Sequence, residues 1–348
     1  MRSLSGCRDP DQRLKCGMSD SAPEDVEDAA AAANAPWFIA GPTASGKSAL
    51  AAALAELCQG EVVNDYAFQL YRGLPLLTAQ PEPAELARAP HHLFAVLAPT
   101  ERTDAAAYAA LARPVIDDIR ARARRPIVVG GSGLYLKALT HGLPERLPLD
   151  PGLRRELSGW TAGRRRDELL ARDPAAAGMV DLANDRYVSR ALELVMLTGK
   201  PLAEARPPFA EPRPGIRALV LQRQVEELDQ RIRVRCRRMI DSGLVEEVRL
   251  AEREGVSATL AKAIGYQACL EHLQGVLELD ELLERLRLDT RRYAKRQRTW
   301  FRREPLFKPL PAEPGETTTS LAQKAIEILR HTRAAEKNFT TKDTKPKM

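Results

Sequence analysis

Gly41-Pro42-Thr43-Ala44-Ser45-Gly46-Lys47-Ser48 decides how the rest of this 348-residue chain is read. Before it stands Trp37-Phe38-Ile39-Ala40, an apolar run of strand length. After it comes Ala49-Leu50-Ala51-Ala52-Ala53-Leu54-Ala55-Glu56-Leu57, built from strong helix formers. A strand, a glycine-rich turn ending in lysine and a hydroxyl, and then a helix make the setting in which this spacing cradles phosphate. The amides of 43–48 are expected to converge on phosphate oxygens at the positive end of the helix. Lys47 adds a point charge, and the Ser48 hydroxyl offers a ligand to Mg²⁺, the expected cofactor. All eight residues from Gly41 to Ser48 are therefore read as a diphosphate- or nucleotide-binding loop. The bland alternative, a chance glycine turn opening an ordinary helix, does not explain the apolar strand in front of it.

Outward from that loop, Glu61-Val62-Val63-Asn64 reads as a second strand and Leu93–Leu97 as a third. A helix over roughly 104–124 follows, then Pro126-Ile127-Val128-Val129 running into Gly130-Gly131. Strands alternating with helices predict an α/β fold: a P-loop NTPase-like parallel sheet with helices on both faces. From 143 to 208 strand signals vanish and charged, alanine-rich helices (153–173, 186–199) suggest a helical insertion. The sheet resumes at Ile216–Leu221, and 225–303 reads as a helical, basic C-terminal part. The expected divisions are thus 1–35 as a disordered extension, 36–142 as the first part of the core and 143–208 as the insertion. Core completion with the basic helices takes 209–307, and 308–348 reads as a polar tail with one short helix near 320–333. Met18 is a second candidate start.

Net charge is +6, from 53 basic and 47 acidic residues, but its distribution is uneven. Asp20–Pro36 is acidic, whereas 285–303 carries nine Arg or Lys against one Asp. Such clustering fits a polyanionic partner, with a solvated basic helix as the plain alternative. The hydrophobic fraction of 44% suits a globular chain, and no apolar stretch is long enough to span a membrane. Five scattered cysteines without a CxxC pair point to a reducing cytoplasm and no structural metal. His91 and His92 lack a Cys or carboxylate at ligand spacing and are read as structural.

Several stretches stand in a telling order. They are Gly41–Ser48, Asn64 with Gln69-Leu70-Tyr71-Arg72-Gly73, Thr78-Ala79-Gln80-Pro81, Pro90-His91-His92 and Gly130-Gly131-Ser132-Gly133-Leu134-Tyr135. Arg190-Ala191-Leu192-Glu193, Thr198-Gly199-Lys200-Pro201 and Ala263-Ile264-Gly265-Tyr266 follow. Thr290-Arg291-Arg292-Tyr293-Ala294-Lys295-Arg296-Gln297-Arg298-Thr299-Trp300-Phe301 closes the set. Over roughly 36–305 the chain resembles the bacterial tRNA dimethylallyltransferases (tRNA isopentenyltransferases), and the last element carries more of that resemblance than the widely shared P-loop.

The resemblance implies transfer of a dimethylallyl group from dimethylallyl diphosphate to N6 of the adenosine beside the anticodon, in a cytoplasmic monomer. Carried over residue by residue, tRNA contacts fall on Tyr66, Ala67, Phe68 and Gln69, on Ser132 and on Arg154. They also fall on Arg186, Tyr187, Val188, Ser189 and Arg190, and on Lys262, Ala263, Ile264, Gly265, Tyr266 and Gln267. Ser132 stands where the family has threonine and keeps the hydroxyl. Thr78 matches an active-site threonine expected near the diphosphate. Tyr266 and Trp300 are read equally as core or as stacking platforms. The chain departs from the family where Asn-Ala-Asp-Ser is usual: a gap-free register puts Tyr66 at the position of the general base and Ala67 at the serine. Asp65 sits one place early, and since successive strand residues face opposite ways, a bulge would be needed to swing it in. Arg186-Tyr187 stands where Gln-Arg is common. Three rivals remain at this point: a small-molecule P-loop kinase, an isopentenyltransferase of free adenylate, and a tRNA-binding homologue impaired at 65–67.

Overall fold

The computed structural model describes residues 34–144 and 149–339, with side chains as far as 330. The expected disordered extension therefore lies almost wholly outside the described residues. β1 (Trp37–Ala40) runs into the glycine turn and α1 (Lys47–Cys58). β2 (Gly60–Asp65), β3 (His91–His92), α2 (Ala105–Ala121), β4 (Arg125–Gly130) and α3 (Gly133–Thr140) complete the first part. The third strand is shorter and earlier than Leu93–Leu97. Leu93 (φ 62°) and Ala95 (φ 52°) turn left-handed, which takes the chain out of the extended conformation a ladder needs.

The insertion holds α4 (Pro151–Ser158), α5 (Ala162–Arg172) and α6 (Asp185–Thr198). The stretch read as one helix over 153–173 is two. Thr161 caps α5 by accepting from the Arg164 amide at 3.2 Å, so the chain restarts there. Leu157, Leu169, Val188, Leu192 and Val195 close a small apolar core within the insertion. β5 (Arg217–Gln222) returns to the sheet, followed by α7 (Val225–Asp241), α8 (Leu244–Glu254), α9 (Tyr266–Leu273) and α10 (Leu279–Phe301).

The supposed polar tail carries β6 (Phe307–Pro311) and α11 (Thr318–Phe339). β6 pairs in parallel with β5, and Leu321, Ala322, Ala325 and Leu329 of α11 are buried against the face that α1 also covers. The strand eluded the sequence reading because Phe-Lys-Pro-Leu-Pro alternates only weakly and holds two prolines. At the edge of a sheet a missing N–H is tolerated.

All six strands are parallel, in the order β3-β2-β4-β1-β5-β6. Alternate residues feed two cores. Phe38, Val63, Val128 and Val220 meet α2 and α3 on one face; Trp37, Ile39, Ile127 and Leu219 meet α1 and α11 on the other. A third core joins Tyr71, Leu74 and Leu77 to helices α7–α10. The carboxyl ends of β1, β2 and β4 thus open beneath a roof of C-terminal helices, where a parallel sheet places its ligands. Among the described residues no helix is long and apolar enough to cross a membrane.

Candidate active site

The P-loop turns through Ala44 (φ 63°) and Gly46 (φ 91°), and α1 begins at Lys47. Only part of the expected amide cradle is free for a ligand. The Thr43 N–H donates to Gln297 Oε1 at 2.7 Å, and the Ser45 N–H to the Pro42 carbonyl at 3.3 Å. Those two amides hold the turn itself, which corrects the reading of all of 43–48 as phosphate donors. Lys47 Nζ folds back to the Pro42 carbonyl at 3.3 Å. Burial, then the neighbouring Arg235, pushes the Lys47 ammonium down to about 7, with Asp65 pulling the other way.

A cavity of about 740 Å³ opens beside the loop. Ala44, Gly46, Lys47 and Ser48 form one wall, the 75–85 segment another, and Arg231, Arg235 and Arg238 of α7 a third. Arg235 Nη1 donates to Thr43 Oγ1 at 3.2 Å, and Arg223 Nε to the Ser45 carbonyl at 2.6 Å. These arginines were missed in the sequence. Their signal was there, since 231, 235 and 238 fall on one helical stripe, but the same pattern serves any solvated helix. Glu227 neutralises part of the charge, bonding Arg223 at 2.8 Å and Arg231 at 2.9 Å. Thr78 sits outside the lining. Its hydroxyl donates to the Leu74 carbonyl at 2.7 Å, one turn back, while its neighbours Ala79 and Gln80 form the wall.

β2 carries no bulge: its pairing with β4 runs unbroken to Asp65–Gly130. The expectation that a bulge would swing Asp65 in is corrected, yet Asp65 ends β2 in regular geometry, close enough to Lys47 for the two charges to act on each other. It is fully buried, and neither carboxylate oxygen has a partner of hydrogen-bonding geometry among the described residues. Burial pushes its carboxyl well above the usual carboxylate range; the Ser132 amide, the Tyr108 hydroxyl and Lys47 oppose this. Tyr108 OH itself donates to the Asn64 carbonyl at 2.9 Å. Gly130 is required here, since a Cβ on it would lie 2.6 Å from Asp65 backbone and Cβ atoms. Tyr66, the residue at the expected base position, packs edge-on to Phe68 and faces Tyr293 of α10 at 6.3 Å between ring centres. Burial raises its phenol, as it does that of Tyr293. Ser132 Oγ accepts from the Ala67 amide at 3.1 Å, tying the second glycine turn to the 66–69 loop. Gln69 turns its amide to the Thr78 carbonyl at 3.2 Å and to Ala79.

The remaining RNA candidates divide by exposure. Arg154 and Arg190 converge on one buried carboxylate, Glu193, at 2.9 Å and 2.7 Å. Arg186 and Tyr187 are exposed and Ser189 half-buried, but Val188 belongs to the insertion core. Lys262 and Gln267 are exposed and Ile264 half-buried. Ala263, Gly265 and Tyr266 are buried, with the Tyr266 hydroxyl bonded to Glu252, so they shape the surface from behind. Val188, Ala263 and Tyr266 are thereby corrected from contacts to core, because apolar side chains at helical spacing fill the nearest core. Trp300 lies on Gly133, whose Cβ would come within 2.5 Å of its ring, and is packed there rather than free to stack. His92 bonds Glu61 at 2.7 Å and His91 the Ala89 carbonyl at 2.7 Å, and no group of three or more His, Cys, Asp or Glu among the described residues could hold a metal.

A family profile described as IPP transferase matches residues 69–304, spanning the insertion and the basic helix as well as part of the core. The chain belongs to the IPP transferase family. Among curated relatives, the tRNA dimethylallyltransferase of Akkermansia muciniphila is 40% identical over 294 residues, covering 84% of this chain and 99% of that one. That of Anaeromyxobacter dehalogenans is 46% identical over 274 residues, 77% of this chain and 91% of the relative. Among solved structures, the tRNA isopentenylpyrophosphate transferase of Bacillus halodurans superposes with a TM-score of 0.64 at 30% identity, covering 87% and 99%. A eukaryotic dimethylallyltransferase captured acting on tRNA gives 0.71 at 25% identity, covering 87% and 80%. The family match takes in the whole of 143–208, and the small-molecule kinase reading is not favoured.

Proposed function

We propose that this chain transfers a dimethylallyl group from dimethylallyl diphosphate to N6 of the adenosine next to the anticodon of tRNAs, releasing diphosphate. The observation that carries this reading is that the basic helix α10 meets the phosphate loop through Gln297 and the loop after β2 through the Tyr66–Tyr293 pair. The diphosphate lies on the amides of Ala44, Gly46, Lys47 and Ser48, with the Lys47, Arg231 and Arg235 side chains around it. The Ser48 hydroxyl lines the cavity beside Lys47 and fits Mg²⁺. Because no all-protein cage surrounds it, diphosphate oxygens and water would fill the other positions, as that ion prefers. Bound there, Mg²⁺ would neutralise charge developing on the departing diphosphate.

The amine is a weak nucleophile, so the chain's main contribution is to hold N6 in line with the allylic carbon. The C–N bond forms as the C–O bond breaks, and N6 sheds a proton. We assign that proton to Asp65, whose carboxylate oxygens have no competing hydrogen-bond partner among the described residues. A carboxylate raised by burial is a stronger base than an exposed one. The insertion, 143–208, faces the tRNA and presents Arg154, Arg186 and Arg190, while Lys262 and Gln267 supply a second patch. The expected setting is the cytoplasm, as a monomer. The test is incubation with Mg²⁺, dimethylallyl diphosphate and unmodified tRNA, followed by nucleoside mass spectrometry. N6-dimethylallyladenosine is expected; tRNA binding without product would instead mark an impaired homologue.

A further inference from the structure

We infer that Gln297 is a positioning residue that sets the diphosphate cradle from the RNA-facing helix, resting on the reading above that the loop holds diphosphate. Gln297 is 4% exposed and sits about two turns past the middle of α10, more than 250 residues from the loop it touches. Its two amide atoms do different jobs. Oε1 accepts from the Thr43 N–H at 2.7 Å, and Nε2 donates to the Gly131 carbonyl at 3.1 Å. One side chain therefore spans the turn after β1 and the turn after β4. The fit leaves no slack: a Cβ on Gly131 would come 2.1 Å from Nε2. One turn further on, Trp300 lies against Gly133 and fixes the same helix face.

The consequence reaches the ligand through Thr43. Its amide is held by Gln297 while its hydroxyl accepts from Arg235, whose residue lines the cavity beside the loop. Gln297 thus orients Thr43, and Thr43 orients a cation that faces the diphosphate. The outward side of α10 carries exposed Arg291, Arg292, Lys295 and Arg296, so the helix that meets RNA also sets the cradle's geometry.

Q297L removes both hydrogen bonds at nearly equal volume, and Q297N keeps the amide but is one methylene too short to span both turns. The probes are inorganic diphosphate with Mg²⁺, by calorimetry, and unmodified tRNA, by filter binding. Diphosphate affinity and the KM for dimethylallyl diphosphate are expected to worsen at least roughly tenfold in Q297L, because a buried amide and carbonyl lose their partners. The tRNA affinity should stay within about twofold, since no exposed cation is altered. Should Q297L not fold, Q297N decides by the same ratio. The inference is overturned if a folded variant of a competent parent keeps parental diphosphate affinity, or loses tRNA in equal proportion. A parent binding neither probe sinks the proposed function itself.

Discussion

In the insertion, Arg154 Nε reaches both Glu193 oxygens at 2.9 and 3.0 Å, and Arg190 Nη1 reaches Oε2 at 2.7 Å. The carboxylate is 3% exposed, while Arg154 is 47% exposed. One buried anion thus holds two cations with their outer edges turned to solvent. Glu193→Gln keeps the shape and removes the charge. Two expectations of opposite sign then compete. Deleting a negative charge beside a polyanion site should tighten tRNA binding, by about 1 kcal/mol at most for a contact at 4 Å in water. Releasing two arginines should loosen it, since each must be ordered again on binding at about 0.5–1.5 kcal/mol. The pair then costs about 1–3 kcal/mol, roughly a 5- to 150-fold change in affinity. We expect the second effect to win: at the middle of that range, about 2 kcal/mol lost against about 1 kcal/mol gained leaves about 1 kcal/mol, roughly a fivefold net loss. The assay is tRNA binding over a salt series, with calorimetric melting to check that the insertion stays folded. Affinity equal to or better than the parent's in a folded variant would refute the idea that Glu193 preorganises an RNA fork.

Other outcomes follow from the site and the cores. Lys47 titrates near 7 in the free protein and must be charged to meet diphosphate. Diphosphate affinity should therefore fall as pH rises through that value, by up to about tenfold per unit, with proton uptake on binding measurable in buffers of different ionisation heat. A flat affinity between pH 6 and pH 9, chosen as about one unit below and two above, would count against it. Asp65→Asn should lower turnover by about 10²–10⁴ while leaving tRNA and diphosphate affinities near parental; unchanged turnover removes Asp65 from the proton path. Leu329→Ala, in a side chain 1% exposed against α1's face of the sheet, should cost about 2–5 kcal/mol in denaturant unfolding. A negligible loss would mean that α11 is dispensable to the core.

The sequence alone settled the parts whose cause is local. The P-loop, its strand and its helix were legible because spacing, turn chemistry and helix propensity all act within a dozen residues. The alternation of strands and helices likewise gave the parallel α/β sheet, and the chain's order of motifs gave the family. The helical insertion was visible as a loss of strand pattern. Tertiary structure decided what depends on distant partners. Val188, Ala263 and Tyr266 lie in motif stretches but turn inward, because each packs on a core that no local pattern reveals. β6 forms in a stretch with two prolines only because β5 offers it an edge. Asp65 needs no bulge to lie beneath the site, since the strand end, Gly130 and the Ser132 turn already close around it. Arg235 and Gln297 become parts of the cradle because folding brings α7 and α10 against a loop nearly two hundred residues and more away. Burial also changes what groups are chemically: the loss of water that lowers Lys47 and raises Asp65 comes from the assembled fold and exists nowhere in the unfolded chain.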